Sequence, residues 1–170
     1  MAAASSGPAI KHGRIQQSIV QWCFQEYWNI DQLCGLAKSL GCKSVELCSP
    51  DDWPTLKKHG LTCAIAFNGM PMPPFVKGFN NPKFHAQLVE VTGKAIDDAA
   101  AFGCPSVIVF NGYKWRDPED PNSGEISLEE GAKNCVAGLK LLMKQAEQKK
   151  VTLCLEMLNT RAVARGSATR

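Results

Sequence analysis

From Ser18 onward the chain alternates short apolar runs with longer stretches of helical period, and this repeat constrains the fold more than any other feature. The apolar runs are SIVQWCF (18–24), KSVELCS (43–49), LTCAIAFNG (61–69), PSVIVFNG (105–112) and VTLCLEMLN (151–159), each read as a strand. A helix is expected from about Ile30, with Ile30, Leu33, Ala37 and Leu40 as its stripe, Asn29 as cap and Gly41 as stop. SPDDWPTLKKHG (49–60) reads as a short helix capped by Ser49. A long helix starts near Pro82 with the stripe Phe84, Leu88, Val91, Ala95, Ala99, Phe102. Another follows Ser127, which stands at capping-box spacing from Glu130, with the stripe Leu128, Ala132, Cys135, Leu139, Leu142, Ala146.

A weak internal repeat supports parallel strands. LAKSLGCKSVEL (36–47) and DAAAFGCPSVIVF (98–110) share a helix end, a Gly-Cys turn and an apolar strand. A repeated helix-turn-strand unit implies helical crossovers between parallel strands. The near-continuous apolar run SVIVF agrees, because parallel sheets are covered on both faces.

Loop lengths are asymmetric. Turns from helix into strand are tight, whereas two strand-to-helix connections are long: GMPMPPFVKGFN (69–80) and GYKWRDPEDPNSGEI (112–126). Both lie at carboxyl ends of strands, where α/β folds build ligand sites. Five βα units fit either an open doubly wound sheet or part of a (β/α)₈ barrel. No Gly-rich phosphate fingerprint follows the first strand and no P-loop is present, which counts against nucleotide-binding forms of the open sheet. A complete barrel takes about 250 residues, and this chain has 170.

Composition narrows the class. With 45% hydrophobic and 21% charged residues, the chain is that of one globular domain. A net charge of +3, with acids and bases interspersed, predicts no nucleic-acid footprint. No apolar run approaches the ~20 residues of a membrane span. Residues 1–17 are small and polar and read as a mobile leader, residues 18–161 as the barrel portion, and residues 162–170 as an unpatterned tail. Eight cysteines, none in a C-x-x-C pair, fall mostly where an apolar residue would serve. They are expected to be free thiols in a reducing cytoplasm.

Candidate chemistry sits at the strand ends. Glu156 is a carboxylate near the end of a buried strand, costly unless paired; a strand-end salt bridge and a metal-ligand or acid/base role both account for it. Glu46 has the same geometry on the second strand, with a salt bridge the simpler account. Asn68 and Asn111 end the third and fourth strands in matching positions, as turn caps or as hydrogen-bonding partners of a substrate. Trp22 is a candidate pocket wall, and Trp115 a loop anchor. Lys114 and Arg116 are expected to pair with Asp117, Glu119 and Asp120 rather than to meet an anionic substrate. The three histidines, His12, His59 and His85, do not cluster and read as surface residues.

Several stretches together resemble the xylose-isomerase-like TIM-barrel superfamily of sugar isomerases and epimerases, and within it the hydroxypyruvate-isomerase-like members. They are WCF (22–24), LGCKSVEL (40–47), WPTLKKHGLTCAIAFNGMP (53–71), FVKGFNNPK (75–83), NGYKWRDPEDPNSGEISLEEGAKNCV (111–136) and VTLCLEMLNTR (151–161). The resemblance implies a (β/α)₈ barrel, of which this chain carries the first five units. It implies a divalent cation, Mg²⁺ or Mn²⁺, and matches Glu156 to the first metal ligand and to an acid/base group, in an E-x-x-N pattern with Asn159. Asn159 joins Trp22, Glu46, Asn68 and Asn111 as candidate substrate contacts. The implied reaction moves a proton between adjacent carbons of a small hydroxy-carbonyl or sugar substrate through an ene-diolate. After Arg161 the family pattern stops: AVARGSATR (162–170) matches nothing in it, and most of the implied metal ligands lie in units not found here. The chain thus reads as a C-terminally truncated barrel with impaired activity. The rival reading is a non-catalytic fragment that binds a ligand or a partner, with self-association through exposed barrel edges.

Overall fold

The computed structural model describes residues 14–158. The leader for the most part, His12, Asn159 and the tail therefore lie outside the described residues. The strands are β1 (Ser18–Val20), β2 (Ser44–Glu46), β3 (Ser106–Phe110), β4 (Trp115–Asp117), β5 (Asp120–Glu125) and β6 (Thr152–Glu156). The α-helices are α1 (Ile30–Leu40), α2 (Trp53–Lys58), α3 (His85–Phe102) and α4 (Leu128–Lys149).

Parallel pairing is present at both ends of the sheet. β1 pairs with β2 from Ser18↔Ser44 to Val20↔Glu46, and β3 pairs with β6 from Ser106↔Thr152 to Phe110↔Glu156. Between them runs the expected third strand, which is extended but irregular. It touches β2 through a Ser44↔Thr62 bridge and β3 through an Ala66↔Val107 bridge. The amides of Val45 and Ile108 donate to Thr62 O and Ala66 O, both at 3.0 Å, so this segment bridges the two pairs into one parallel arc. Leu47, at φ 55°, takes a left-handed turn that ends β2 after Glu46.

The first expected strand is also shorter than its apolar run. Gln21–Cys23 forms a 3₁₀ turn, which removes Trp22 from the sheet. The second long loop is not structureless. It folds as an antiparallel hairpin, β4 against β5, with Trp115 opposite Glu125 and Asp117 opposite Asp120.

The helices follow their sequence signals. Asn29 and Gln32 form a reciprocal capping box at 2.9 and 3.1 Å, and Gly41 ends α1 in the left-handed region at φ 87°. Ser127 Oγ accepts from Glu130 N at 3.1 Å, but Glu130 does not close the box. Its carboxylate instead takes both arms of Arg116, at 2.8 and 2.9 Å, tying the hairpin to the start of α4. Of the stripe expected on α4, Cys135, Leu142 and Ala146 are buried, whereas Leu128 is 87% exposed.

The core lies between the arc and helices α1–α4, around Leu33, Val45, Leu56, Leu88, Ile96 and Val107, all essentially without exposure. Trp53 stacks on Phe102 at 4.7 Å. Eight free cysteines are present, five of them buried. No helix among the described residues is long and apolar enough to cross a membrane.

Candidate active site

The carboxyl ends of the parallel strands carry the candidate residues. The Phe110↔Glu156 register sets Glu156 beside the end of β3, next to Asn111. Asn111 is half-buried, and its Oδ1 accepts from Leu158 N at 3.3 Å, fixing the backbone just beyond Glu156. Glu156 itself is exposed. Among the described residues no cation pairs with it, so the salt-bridge account of Glu156 fails there. Glu46 is half-buried and accepts from Ser44 Oγ at 3.3 Å, likewise without an ion pair among the described residues.

Asn68 occupies a different environment from its sequence twin. It has no exposure, and its Oδ1 accepts from Met70 N at 3.1 Å, closing the turn into the following loop. Its Nδ2 finds no partner. Of the two readings for this residue, the turn cap describes its contacts. Trp22 is 56% exposed. Lys114 pairs with Glu125 at 2.6 Å and Arg116 with Glu130, so both are neutralised, though by partners other than those expected. His59 contacts Asp31 at 2.9 Å and His85 contacts Phe79 O at 2.9 Å; both are half-buried, not free surface residues.

Two groups that shape this end escaped the sequence reading. Asn80 donates from Nδ2 to Tyr113 O at 2.7 Å and from its amide to Asn111 O at 2.8 Å, while its own carbonyl accepts from Asn134 Nδ2 at 2.8 Å. It clasps both long loops and α4 together. The Asn-Asn-Pro run before α3 was its only sequence signal. The second group is Gly78 with Gly112: a Cβ on Gly78 would lie 2.2 Å from Asn111 C and from Gly112 N. The first long loop crosses the end of β3 backbone against backbone, and only glycine permits it.

A cavity of about 510 Å³ opens at this end, lined by Phe75, Asn111, Tyr113, Trp115, Leu155 and Met157 among others. Strand alternation places Leu155 and Met157 on its wall and turns Glu156 to the opposite side. This cavity is therefore an apolar seam between β6 and α4, not the surroundings of the carboxylate. No group of three or more His, Cys, Asp or Glu side chains able to hold a metal ion occurs among the described residues. One exposed carboxylate is a poor divalent-cation site, so the described residues do not fit a complete metal centre.

A sequence model of the xylose isomerase-like TIM barrel matches residues 34–169. The chain belongs to that family. No curated protein matches the chain. Among solved structures the family fold recurs in D-allulose 3-epimerase from Methylomonas sp., at 20% identity and a TM-score of 0.62 over 86% of this chain and 52% of that one. It recurs in the IOLI protein with a bound zinc atom, at 16% identity and a TM-score of 0.63 over 83% and 51%. A 3-keto-D-glucoside 4-epimerase from E. coli matches at 18% and 0.57, over 77% and 52%. At these identities the likeness establishes the fold, a parallel arc of a TIM barrel. The chain spans about half the length of these structures.

Proposed function

We propose that this chain carries part of an isomerase or epimerase site for a small hydroxy-carbonyl compound, of the hydroxypyruvate-isomerase type. Glu156 is its acid/base residue. The observation that carries this reading is an exposed carboxylate at the end of β6, unpaired among the described residues and held next to Asn111. In the reaction, the Glu156 carboxylate takes the proton from the hydroxyl-bearing carbon beside the substrate carbonyl and returns it to the former carbonyl carbon, while the hydroxyl proton passes to the former carbonyl oxygen. Asn111 spends its oxygen on Leu158 N, leaving its amide protons to donate to a substrate oxygen. Glu46 is the second carboxylate at the same end, and Trp22 offers an aromatic wall. Asn159 and a divalent cation complete the proposal; Glu156 is the one ligand the described residues offer, and further ligands must come from outside them.

The test is exchange of the substrate's carbon-bound proton with deuterium, followed by NMR on the purified chain with hydroxypyruvate and small ketoses. Exchange that falls at least about 100-fold in Glu156→Gln supports the assignment. Equal rates in both proteins, or no exchange in either, overturn it.

A second reading, a binding fragment without catalysis, is favoured by the lack of a ligand cluster among the described residues and by the buried, turn-capping Asn68. Calorimetric titration with Mn²⁺ separates the two. Stoichiometric binding that Glu156→Gln abolishes favours the isomerase; no binding in either protein favours the fragment.

A further inference from the structure

Three buried thiols in the core belong to three neighbouring segments of the arc. Cys48 follows β2, Cys63 lies in the extended segment from Leu61 to Asn68, and Cys104 precedes β3. None is more than 2% exposed. The candidate active site uses none of them.

Backbone hydrogen bonds hold this row together. Cys63 and Cys104 each fold back on their own segment, Sγ donating to the carbonyl two residues on, Ile65 O at 3.2 Å and Ser106 O at 3.3 Å. The same two carbonyls tie the segments to each other. Ile65 O also accepts from Leu47 N at 3.3 Å, beside Cys48, and Ser106 O accepts from Ala66 N at 2.8 Å. Cys63 and Cys104 each stand three residues before a partner of the parallel Ala66↔Val107 bridge, so the register sets them opposite each other. Neighbouring strands run about 4.8 Å apart, inside the roughly 4.4–6.8 Å that a disulfide spans between Cα atoms. Cys48 has no such opposite number. Leu47, in the left-handed region, takes the chain out of β2 just before it, and its Sγ turns back to Val45 O at 3.7 Å.

We propose that Cys63 and Cys104 are a redox site, which an oxidant of the peroxide class joins as a reversible disulfide inside the chain. The inference does not rest on the isomerase reading, because no residue assigned to catalysis takes part. Beside Cys63, the Cys104 thiol is held below the ordinary thiol range, so Cys104 is the first nucleophile. Its thiolate attacks one peroxide oxygen, the O–O bond breaks, and hydroxide leaves and takes up a proton as water, giving a sulfenic acid on Cys104. The Cys63 sulfur then attacks the Cys104 sulfur. The S–O bond breaks, and the second hydroxide leaves as water with the Cys63 proton. The two thiols give up two hydrogens and two electrons, and the peroxide becomes two waters. The bond falls at a thinly paired joint. Among the described residues, backbone pairing between the Leu61–Asn68 segment and β3 is confined to the surroundings of Ala66, through Ser106 O and Ile108 N. A disulfide there staples the two pairs of the arc to each other.

Mild oxidation of the reduced chain with hydrogen peroxide, in native buffer and in denaturant, tests the proposal. Free thiols are blocked, and the bonds are mapped by mass spectrometry of unreduced peptides. Cys23→Ser removes the exposed thiol from competition. The Cys63–Cys104 bond is expected to dominate in native buffer, enriched at least about tenfold over its share in denaturant, where proximity is lost. A thiol reductant is expected to reverse it, and the oxidised chain to unfold at higher urea than the reduced one. Cys48→Ala is expected to keep the bond and Cys63→Ala to lose it. The wild-type map decides even if a variant does not fold. Pairing no more selective in native buffer than in denaturant, a dominant bond to another cysteine, or sulfinic acid at Cys104 in place of a bond each overturn the proposal.

Discussion

The crossing of Gly78 over Asn111 and Gly112 shows how one residue type sets the geometry of the candidate site. Gly112 holds φ 96°, and a Cβ there would lie 2.6 Å from Gly78 N. The two glycines interlock, and Asn80 is placed two residues on. Gly78→Ala has no flexible neighbour to displace, only backbone. It is expected to cost about 3 kcal/mol, at the upper range for overpacking, read as a lowered urea midpoint with an unchanged slope. An unchanged midpoint would mean that the loop has room to move. A second residue-scale effect concerns Glu130. Hydrogen bonding from Arg116 holds its carboxyl below the ordinary carboxylate range. A depressed carboxyl contributes stability above its unfolded pKa and loses it as pH falls through the folded one. The melting difference between wild type and Arg116→Gln should therefore be present at pH 7 and shrink as the pH is lowered through the acid range. The pair is solvent-exposed, so the difference will be small and salt-sensitive.

The helices and their caps were legible in the sequence because they rest on local rules. Asn29, Ser127 and the left-handed Gly41 and Gly103 sit where spacing and residue type place them. Removing the Ser127 hydroxyl tests this directly. Ser127→Ala leaves Glu130 N without its acceptor and should destabilise the chain by about 1 kcal/mol, measured by chemical denaturation. The strands were legible as apolar runs but not in their extent. Pairing depends on what lies alongside, so the segment from Leu61 to Asn68 stays extended yet bonds each neighbour only in places. The β4–β5 hairpin was missed because Asp120–Glu125 is DPNSGE, a polar, Pro- and Gly-containing stretch with no strand alternation. Its order comes from Trp115 opposite Glu125 and from Arg116 on Glu130, both contacts to distant residues. The candidate site was half legible. Strand-end position put Glu156 and Asn111 forward as candidates, but the same rule could not separate Asn111 from Asn68, which differ in burial and in the amide each accepts from, Leu158 N across the strands against Met70 N in a local turn.

At the scale of the molecule, the arc leaves its thiols in sharply different surroundings. Cys23 is exposed, Cys42 and Cys154 are half-buried, and Cys34, Cys48, Cys63, Cys104 and Cys135 are buried. Three of the buried thiols gather on neighbouring segments of the sheet. Cys63 donates its thiol proton to Ile65 O at 3.2 Å, and the neighbouring Cys104 and Cys48 thiols, with burial, push its pKa up. Burial pushes the Cys34 thiol up to about 11. A thiol reacts through its thiolate, and only where reagent reaches it, so burial and the raised pKa act in the same direction at Cys34. Titration with a colorimetric thiol reagent at pH 8 should therefore resolve three classes in the native chain. Cys23 is expected to react first, Cys42 and Cys154 more slowly, and the five buried cysteines only after unfolding by denaturant. Because reagent reaches the buried class through opening of the arc, its rate should rise in Gly78→Ala and in Ser127→Ala in step with their loss of stability. Rapid reaction of all eight in the native chain would mean that the half-barrel does not hold its core closed, and the packing around Leu33, Leu56 and Ile96 would be the first to reconsider.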